Sequence, residues 1–333
     1  MKVVSFFHLK ELRWNLAEED CAKLEERFPG VRIDSVEDET ELPARIADAE
    51  AFVGFTVPRA AFLEARALRW VQSVSAGIEE NLYPELVASD VVLTNGAGLH
   101  AVSIPEHVLG QMLVLARNFH EALRRQAGHE WNRFECITYG AGIAELDGSN
   151  LAILGAGAIG ANLARRAAAL GQHVRIMRRD TSIPVDGAEA IVPQSELMAL
   201  LSWADFVVLA LPLTAETRHL IGASAFAAMK SSAYLVNIGR GELIDDDALV
   251  NALERRAIAG AALDVFTKEP LPAEHPFWAL PNLVLTPHVS GYTPNYFQKA
   301  LALFADNLGR YREGKPLRNV VDKKLGYPTG GRW

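Results

Sequence analysis

Short apolar runs alternate with amphipathic segments along most of the 333-residue chain. Such runs, bounded by polar residues or glycine, are typical of buried strands, whereas apolar residues three and four positions apart are typical of helices. The predicted strands span residues 3–7, 31–33, 51–55, 70–74, 91–94, 151–154, 174–177, 206–211, 233–236, 261–265 and 283–285. Helices are predicted between them, for example at 18–28, 42–49 and 245–256. This alternation predicts an α/β protein with doubly wound parallel sheets.

A glycine-rich turn follows the predicted strand at 151–154. Gly155, Gly157 and Gly160 have the GxGxxG spacing, a helical pattern continues until Gly171, and another predicted strand comes next. In this context glycine allows a tight turn and a close approach of the backbone to a pyrophosphate, which the helix N-terminus attracts. The unit therefore predicts a dinucleotide site. A glycine-rich turn in another kind of α/β protein is the alternative.

Residues 95–98, with the sequence NGAG, interrupt the alternation as a hinge or a crossover between domains would. Beyond them, apolar residues from Ile104 to Leu123 recur at helical spacing and predict one long helix. A helix of this length is suited to connecting two domains.

The composition is that of an ordinary globular protein, with 50% hydrophobic and 22% charged residues. A net charge of −8 argues against nucleic acid or an anionic membrane as a partner. No apolar run approaches the roughly 18 residues of a membrane span, and no signal peptide is evident, so a soluble cytoplasmic protein is expected. Cys21 and Cys136 lie outside any metal-ligand pattern and are predicted to be buried free thiols, with no metal site.

Chemically useful side chains follow several predicted strands. In an open parallel sheet, ligands bind beyond the carboxyl ends of the strands, where these residues are expected to meet. Arg240 can hold a carboxylate through two hydrogen bonds and polarise the adjacent carbonyl. His288 can donate a proton to the developing alkoxide, and a carboxylate such as Glu269 would favour its protonated form. The hydride has to come from a cofactor, so the pattern predicts reduction of a carbonyl beside a carboxylate.

Each of these residues also has a plainer interpretation. Arg240 could be a surface arginine in a glycine turn, Glu269 could belong to a solvated turn, and His288 could be a structural histidine. His275, in the sequence EHPFW, is the main rival for the proton-donating role, although it lies in a predicted loop rather than at a strand end.

Motifs follow one another in order along the second half of the chain: GAGAIG at 155–160, LPLTAETRHLI at 211–221, VNIGRGELID at 236–245, ALDVFTKEP at 262–270 and LTPHVSGYT at 285–293. Together they resemble the D-isomer-specific 2-hydroxyacid dehydrogenase family, and the resemblance covers essentially the whole chain. It implies two doubly wound parallel-sheet domains. A Rossmann cofactor domain, residues 100–289, would be inserted into a flavodoxin-like substrate (lid) domain of residues 1–99 and 290–333, to which a helix near 296–311 returns.

The same resemblance assigns roles in the reaction. It implies that Arg240 binds the carboxylate and carbonyl of the substrate, that His288 is the acid/base catalyst and that Glu269 is its partner. The backbone of Ser75, Ala76 and Gly77 resembles the family's loop for the substrate carboxylate, at the end of a predicted strand.

Cofactor contacts are expected throughout the second domain. They are Gly155, Gly157, Ala158, Ile159, Gly160, Arg178, Arg179, Pro212, Thr217, Ile238, Gly239, Arg240, Asp264, His288, Gly291 and Ile104. The resemblance implies that Asp264 and the backbone of Ile238 hold the nicotinamide carboxamide and that Ile104 packs on the nicotinamide.

The end of the second strand of the dinucleotide unit departs from the family pattern. Family members that use NAD generally carry an acidic residue there, which accepts hydrogen bonds from the ribose hydroxyls. Here the positions hold Arg178 and Arg179, whose charges would attract a 2′-phosphate, and Asp180 is expected to face away. We therefore predict NADP(H) over NAD(H). The alternative is a pair of solvated arginines in an enzyme that still uses NAD.

The predicted function is the reduction of a small 2-oxo acid, such as glyoxylate, hydroxypyruvate or a somewhat bulkier 2-ketoacid, to the D-2-hydroxy acid with NADPH. Glu79, Glu80 and the lack of a basic cluster around Arg59 disfavour a phosphorylated substrate. A dinucleotide-sensing protein of the corepressor type, without efficient turnover, is the alternative. Formate oxidation, which similar proteins perform, is disfavoured by the arginine pair and by the lack of an Asn-centred motif near Ser75.

The resemblance also implies a homodimer, formed through the long helix that begins near Ile104. Trp131 and Tyr139 could then shape the substrate pocket from the partner subunit, with packing in the core or the interface as the alternative.

Overall fold

The computed structural model describes residues 1–7 and 16–328. The chain forms two compact units: Met1–Leu99 with the residues from Thr293 onwards, and His100–Tyr292. The chain returns to the first unit after Tyr292, and the boundary predicted from the sequence lies nearby, at residue 289. The backbone N–H of Ser290 donates a hydrogen bond to Asp264 of the second unit.

The bounds of the elements are as follows. The strands are β1 (Lys2–Phe6), β2 (Arg32–Val36), β3 (Ala51–Gly54), β4 (Trp70–Ser73), β5 (Val92–Thr94), β6 (Asn150–Leu154), β7 (His173–Met177), β8 (Ala190–Val192), β9 (Phe206–Leu209), β10 (Tyr234–Asn237), β11 (Gly260–Leu263), β12 (Leu283–Leu285), β13 (Val321–Asp322) and β14 (Tyr327–Pro328). The helices are α1 (Glu18–Arg27), α2 (Leu42–Ile46), α3 (Arg59–Glu64), α4 (Pro84–Ala88), α5 (Ser103–Ala116), α6 (Phe119–Ala127), α7 (Arg133–Thr138), α8 (Ala158–Ala169), α9 (Leu197–Trp203), α10 (Ala223–Ala228), α11 (Asp246–Glu254) and α12 (Tyr296–Arg312).

Each unit contains one parallel sheet. In the first unit the strand order is β2-β1-β3-β4-β5, the doubly wound order found in flavodoxin-like folds. In the second unit it is β12-β11-β10-β9-β6-β7-β8, which reverses at β6 as in a Rossmann fold. The first unit also holds the two-stranded antiparallel pair β13 and β14. The predicted α/β fold with two parallel sheets is confirmed.

Alternate residues of the central strands explain why helices cover both faces of the second sheet. In β6, Ala152 and Leu154 belong to one buried cluster, whereas Leu151 and Ile153 belong to another. Because successive side chains of a strand point to opposite faces, these clusters lie on the two sides of the sheet. Burying a side chain such as Leu151 stabilises the fold by about 1.5–3 kcal/mol.

Helix α12 packs into the core of the first unit although it lies far along the chain. Trp70 of β4 is fully buried and stacks on Phe304 and Tyr311 of this helix, with ring centroids 5.5 Å apart in both pairs. The indole N–H of Trp70 donates to the hydroxyl of Thr94 at 2.8 Å, so its one polar atom is satisfied.

The prediction of a single long helix from residue 104 to residue 123 is wrong. Helix α5 ends at Ala116 and α6 starts at Phe119, because Asn118 has a left-handed backbone (φ 53°). Its side-chain amide donates to the carbonyl oxygens of Cys136 and Tyr139, at 3.1 and 3.0 Å, which holds the break in place. Asparagine tolerates this conformation better than most residues. The apolar spacing continues across the break, so periodicity alone did not reveal it.

Two smaller expectations also differ from the structure. Strand β8, at Ala190–Val192, was not predicted; it is short, half-buried and lies at the edge of its sheet. Cys21 and Cys136 are free thiols, but both are partly exposed rather than buried.

Within the described residues, no helix is long and apolar enough to cross a membrane. The same part of the chain contains no cluster of three or more His, Cys, Asp or Glu side chains arranged to hold a metal ion.

Candidate active site

The glycine turn lies between β6 and the N-terminus of α8. Gly155 has φ 113°, and a Cβ there would lie 2.4 Å from the carbonyl oxygen of Ala210. A Cβ at Gly160 would lie 2.0 Å from the carbonyl oxygen of Gly155, so both positions exclude a side chain for steric reasons. Gly157 differs, because a Cβ there would meet nothing within 4 Å. The turn therefore leaves open space in front of the first N–H groups of α8, which Ala158 begins and Ile159 continues.

Arg178 and Arg179 follow β7 at the same edge of the sheet. The guanidinium of Arg179 lies 3.1 Å from a carboxylate oxygen of Glu216, and both side chains are largely exposed. Asp180 is engaged locally, since its carboxylate accepts hydrogen bonds from the hydroxyl and the N–H of Ser182 at 2.6 and 3.0 Å. These hydrogen bonds, with a smaller contribution from Arg178, lower the pKa of the Asp180 carboxyl. This strand end therefore carries two arginines beside an ionised Asp180, part of whose hydrogen-bonding capacity is taken by Ser182.

The loops after β9 and β10 are held by internal hydrogen bonds. The hydroxyl of Thr217 donates to the carbonyl oxygen of Pro212 and accepts from the N–H of Thr214, both at 2.8 Å. After β10, Ile238 is buried, and a Cβ at Gly239 would lie 2.7 Å from the side chain of Leu243. The backbone therefore turns tightly at the position just before Arg240.

Arg240 starts the next turn from an extended backbone, with φ −141°. Its guanidinium donates a hydrogen bond to the carbonyl oxygen of Gly239 at 2.7 Å. The charge of Arg240 also acts on two other groups: it contributes to a lowered pKa at Glu269 and opposes the raised pKa of His288. The structure therefore brings the three side chains into one electrostatic environment.

His288 and Glu269 form a hydrogen-bonded pair. Nδ1 of His288 lies 2.6 Å from Oε2 of Glu269, and Oε1 of the same carboxylate accepts the N–H of Phe266 at 2.8 Å. The hydrogen bond that Nδ1 of His288 donates to Glu269 raises the pKa of His288, although burial opposes this. Burial alone would raise the pKa of Glu269, but the hydrogen bonds from His288 and Phe266 outweigh it and lower that pKa. The pair therefore favours a protonated imidazole beside an ionised carboxylate.

The backbone at His288 is left-handed, with φ 52°. A histidine in this region carries a strain of about 1 kcal/mol or more, which the surrounding contacts have to offset. The side chain is 52% exposed on the side away from Glu269, so Nε2 is the ring nitrogen that remains for a ligand or solvent.

Asp264, at the end of β11, is fully buried. One carboxylate oxygen accepts the hydroxyl of Thr286 at 2.6 Å and the N–H of Val289 at 3.0 Å, and the other accepts the N–H of Ser290 at 3.0 Å. A carboxylate offers about four lone-pair positions, so most of its capacity is already used by the loop that carries His288. Sequence reasoning assigned Asp264 to the cofactor and did not find this arrangement.

The rival histidine lies in a different setting. His275 precedes a short 3₁₀ helix (Pro276–Ala279), and its Nδ1 accepts the N–H of Phe277 at 3.3 Å. Its other ring nitrogen lies 4.0 Å from a carboxylate oxygen of Asp246. The ring nitrogens of His275 therefore serve a helix cap and an acidic side chain, rather than facing Glu269.

Two further residues expected at the cofactor lie near the start of α5. Ile104 is 7% exposed and packs in the core cluster that also contains Ile238. The carbonyl oxygen of Gly291 accepts hydrogen bonds from His100 at 3.1 Å and from the hydroxyl of Ser103 at 3.4 Å. These contacts tie the loop after His288 to the beginning of the helix.

The loop Ser75-Ala76-Gly77 belongs to the first unit and follows β4. Two of its carbonyl oxygens accept hydrogen bonds from the segment after β5. The N–H of Gly96 donates to the carbonyl oxygen of Ser75 at 2.7 Å, and the side-chain amide of Asn95 donates to that of Ala76 at 2.6 Å. The N–H groups of Ala76 and Gly77 have no acceptor in the described part of the chain. Two adjacent N–H groups of this kind can bind an anion.

Sequence reasoning missed two residues that support this loop. Asn95 was assigned to a hinge, and Tyr296 was noted only as the start of a helix, yet its hydroxyl donates to the carbonyl oxygen of Val74 at 2.7 Å. An asparagine directly after a strand, opposite the loop of the neighbouring strand, was the available signal.

Trp131 and Tyr139 lie in the segment after the break at Asn118. Trp131 is 94% exposed. Tyr139 is half-buried within the second unit, where its ring contacts His120 edge-on and the guanidinium groups of Arg124 and Arg256. The packing of Tyr139 agrees with the plainer of its two interpretations.

Three features define the class of this protein: the strand order reverses at β6, an open glycine turn follows β6, and His288 and Glu269 pair at another strand end. Together they are typical of NAD(P)-dependent oxidoreductases with a doubly wound sheet. Comparison with known proteins specifies the family. The model for "D-isomer specific 2-hydroxyacid dehydrogenase, NAD binding domain" matches residues 109–290. The chain belongs to the D-isomer-specific 2-hydroxyacid dehydrogenase family.

Characterised relatives match most of the chain. The glyoxylate/hydroxypyruvate reductase B of Salmonella typhimurium is 34% identical over 307 residues, covering 90% of this chain and 93% of the relative. The D-3-phosphoglycerate dehydrogenase of Methanocaldococcus jannaschii is 33% identical over 311 residues, covering 91% of this chain. This chain spans only 57% of the length of that second relative.

Solved structures resemble the whole chain. A family protein from Aeromonas salmonicida is 30% identical with a TM-score of 0.81, and the match covers 97% of this chain and 99% of that one. The NADPH-dependent glyoxylate/hydroxypyruvate reductase of Sinorhizobium meliloti, solved with NADP and sulfate, is 26% identical with a TM-score of 0.81, covering 98% and 99%.

Proposed function

We propose that the protein reduces a small 2-oxo acid, such as glyoxylate or hydroxypyruvate, to the D-2-hydroxy acid with NADPH. The observation that carries the proposal is the His288–Glu269 pair at 2.6 Å in the electrostatic range of Arg240. A protonated imidazole beside a guanidinium suits a reaction in which a carbonyl oxygen becomes an alkoxide next to a carboxylate.

Each of the three residues has its own role in the proposed reaction. Arg240 binds the substrate carboxylate and polarises the C2 carbonyl. NADPH, when bound, would supply the hydride that C2 receives. As the C=O bond becomes a single bond, Nε2 of His288 gives its proton to the oxygen, and Glu269 stabilises the imidazolium before the transfer. His288 then regains a proton from solvent, to which its side chain is 52% exposed.

The chain's own residues fit the cofactor. A Cβ at Gly157 would meet no atom within 4 Å, and Gly157 directly precedes α8, so the backbone here would hold a pyrophosphate at the helix N-terminus. Arg178 and Arg179 would hold the 2′-phosphate, which is the basis for proposing NADPH over NADH. The NADPH-dependent glyoxylate/hydroxypyruvate reductase of Sinorhizobium meliloti, whose structure is similar, was solved with NADP.

The loop of the first unit supports an acid substrate without a phosphate. We assign binding of a substrate carboxylate in the first unit to the N–H groups of Ala76 and Gly77. Arg59 is paired with Glu85 through two hydrogen bonds, and Glu79 and Glu80 follow the loop closely in the sequence. These acidic side chains disfavour a phosphorylated 2-oxo acid, although one relative is a phosphoglycerate dehydrogenase.

Turnover of a panel of 2-oxo acids with NADPH and with NADH tests the proposal. We expect consumption of NADPH with glyoxylate or hydroxypyruvate, formation of the D product where C2 is a stereocentre, and a higher kcat/KM for NADPH than for NADH. Tight NADPH binding without turnover of any acid would favour the alternative of a dinucleotide sensor. A clear preference for NADH would contradict the role of the arginines.

The second unit carries an apolar surface that supports a homodimer. Phe119 and Leu123 of α6, Trp131, and Phe134 and Ile137 of α7 are all exposed, from 42% to 94%. Large apolar patches of this kind usually mark an interface. We propose that a second copy of the chain covers this surface, named here the α6–α7 surface. We also propose a cytoplasmic location, because both cysteines are free thiols.

A further inference from the structure

We propose that Thr286 is a positioning residue that keeps His288 in its reactive orientation, acting through the buried carboxylate of Asp264. This inference rests on the proposed function for the catalytic role of His288. The hydrogen bonds that position His288 do not depend on any substrate.

The hydroxyl of Thr286 uses all of its hydrogen-bonding capacity. It donates to Asp264 at 2.6 Å and accepts from two side chains of α5, Nε2 of His107 at 3.1 Å and the amide of Gln111 at 3.3 Å. A hydroxyl has one donor and two acceptor positions, so this set is complete. Since the single proton of the hydroxyl points to Asp264, Nε2 of His107 is the protonated nitrogen of that ring.

His107 stays neutral in this arrangement. Burial lowers its pKa, and the negative charge of Asp264, 3.7 Å away, only partly offsets the effect. Each of the three contacts of the Thr286 hydroxyl therefore has a donor facing an acceptor. The buried Oε1 of Gln111 has no hydrogen-bond partner within the described residues, so the complete set of contacts lies at the hydroxyl itself. A hydroxyl whose hydrogen bonds are all made fixes the orientation of the groups around it.

Asp264 transmits this orientation to the backbone on the far side of His288. Its carboxylate accepts the N–H groups of Val289 and Ser290, the two residues that follow His288. Before His288 in the chain, the N–H of Thr286 donates to the carbonyl oxygen of Leu263 in β11 at 2.9 Å. The strained residue at φ 52° is thus anchored on both sides, and Thr286 takes part in both anchors.

This arrangement explains how an exposed side chain keeps a defined position. The Glu269 hydrogen bond orients the imidazole, but it does not fix the backbone, which would relax from the left-handed region if Asp264 turned away. A displacement of about 1 Å in a catalytic group can cost on the order of a hundredfold in rate. We therefore assign Thr286, with His107 and Gln111 behind it, to the control of His288 geometry.

The test compares Thr286→Val, which keeps the shape and removes the hydroxyl, with Thr286→Ser, which keeps the hydroxyl. The first readout is the titration of the His288 imidazole by NMR, which needs no substrate. In Thr286→Val we expect the pKa of His288 to fall toward its ordinary value and kcat to fall on the order of tenfold to a hundredfold, with NADPH affinity nearly unchanged. Thr286→Ser should recover most of both losses.

A matched control is Thr94→Val in the first unit. The hydroxyl of Thr94 is fully buried, whereas that of Thr286 is partly buried, and it too is bonded to several groups, including the indole of Trp70 at 2.8 Å. Its loss should therefore lower stability at least as much as the loss of the Thr286 hydroxyl. The His288 titration should not move in this variant, which separates positioning from general destabilisation.

The inference is overturned if His288 titrates in Thr286→Val as in the wild type, or if Thr286→Ser behaves like Thr286→Val. If Thr286→Val does not fold, Gln111→Met removes one of the two donors to the hydroxyl, and an unchanged His288 titration there would equally overturn it. Wild-type protein that reduces no 2-oxo acid would refute the proposed reaction, while the NMR comparison would still decide the role of Thr286.

Discussion

Nδ1 of His288 lies 2.6 Å from Oε2 of Glu269, and this contact determines which nitrogen of the ring is available for chemistry. Because Nδ1 is committed to the carboxylate, only Nε2 can exchange a proton with a substrate. The same contact raises the pKa of His288 and lowers that of Glu269, so the two groups act as one acid–base unit.

Replacing His288 with Asn should lower kcat by about 10²- to 10⁴-fold while NADPH binding stays nearly unchanged. Asparagine tolerates the left-handed backbone at this position, so the fold should persist. His275→Asn is the matched control, since Asn can still accept the N–H of Phe277 as a helix cap. Unchanged turnover in His288→Asn would remove this residue from the mechanism, and a large loss in His275→Asn would make that histidine the better candidate.

Replacing Glu269 with Gln should change the pH dependence of the reduction. In the proposed mechanism His288 reacts in its protonated form, so kcat/KM should be retained at low pH and lost as pH rises through the raised pKa of His288. Without the carboxylate that pKa falls, and we expect the alkaline limb of the profile to move to lower pH. A pH–rate profile measures the shift; a limb at its wild-type position would show that Glu269 does not control the pKa of His288.

Two glycines of the same turn should respond differently to alanine. In Gly160→Ala the new Cβ would lie 2.0 Å from the carbonyl oxygen of Gly155, so we expect a loss of about 1–3 kcal/mol in stability. In Gly157→Ala the Cβ meets no protein atom, so Tm should hardly change while the Kd for NADPH rises. Thermal unfolding and fluorescence titration measure both effects. Equal NADPH affinity in Gly157→Ala and the wild type would place the pyrophosphate elsewhere.

Glu216 should weaken the preference for NADPH in the wild-type protein. Its carboxylate lies 3.1 Å from the guanidinium of Arg179 and competes with a 2′-phosphate for that charge. Because the pair is exposed, Glu216→Gln should tighten NADPH binding only about two- to fivefold and leave NADH binding unchanged. Arg179→Ala should act in the opposite direction. If Glu216→Gln raised the affinity for NADPH and NADH equally, this competition would be excluded.

The α6–α7 surface should control the oligomeric state. Phe134 is 75% exposed, so Phe134→Asp should leave the fold of the monomer intact and place a charge in the proposed interface. Light scattering should then show a monomer where the wild type is a dimer. Leu63→Asp is a suitable control, because Leu63 is 57% exposed on α3 of the first unit. A wild-type monomer, or a dimer that survives Phe134→Asp, would contradict the assignment.

Much of the fold could be predicted because the strands are short apolar runs with sharp ends. Ligands bind at the carboxyl ends of parallel strands, and this rule predicts Arg240, Glu269 and His288 as site residues from the sequence alone. Periodicity failed at Asn118, where a single left-handed residue breaks a helix without disturbing the apolar spacing. It also missed the edge strand β8, which is too short and too exposed to give a clear pattern.

The supporting contacts of the site could not be read from the sequence. Thr286 and Gln111 are far apart in the chain, and only the packing of α5 against the sheet brings the amide within 3.3 Å of the hydroxyl. Asn95 likewise serves a loop on the neighbouring strand. Interactions of this kind depend on tertiary structure, whereas a residue's position at a strand end depends on local pattern alone.

The loop after β4 is ordered before any ligand arrives. The carbonyl groups of Val74, Ser75 and Ala76 are each held by a donor from another element of the first unit, so the two unpaired N–H groups already have a fixed direction. The conformational entropy of this loop is therefore lost when the protein folds and not when an anion binds. The loop should recognise small carboxylates by a rigid arrangement, with little dependence on the rest of the ligand.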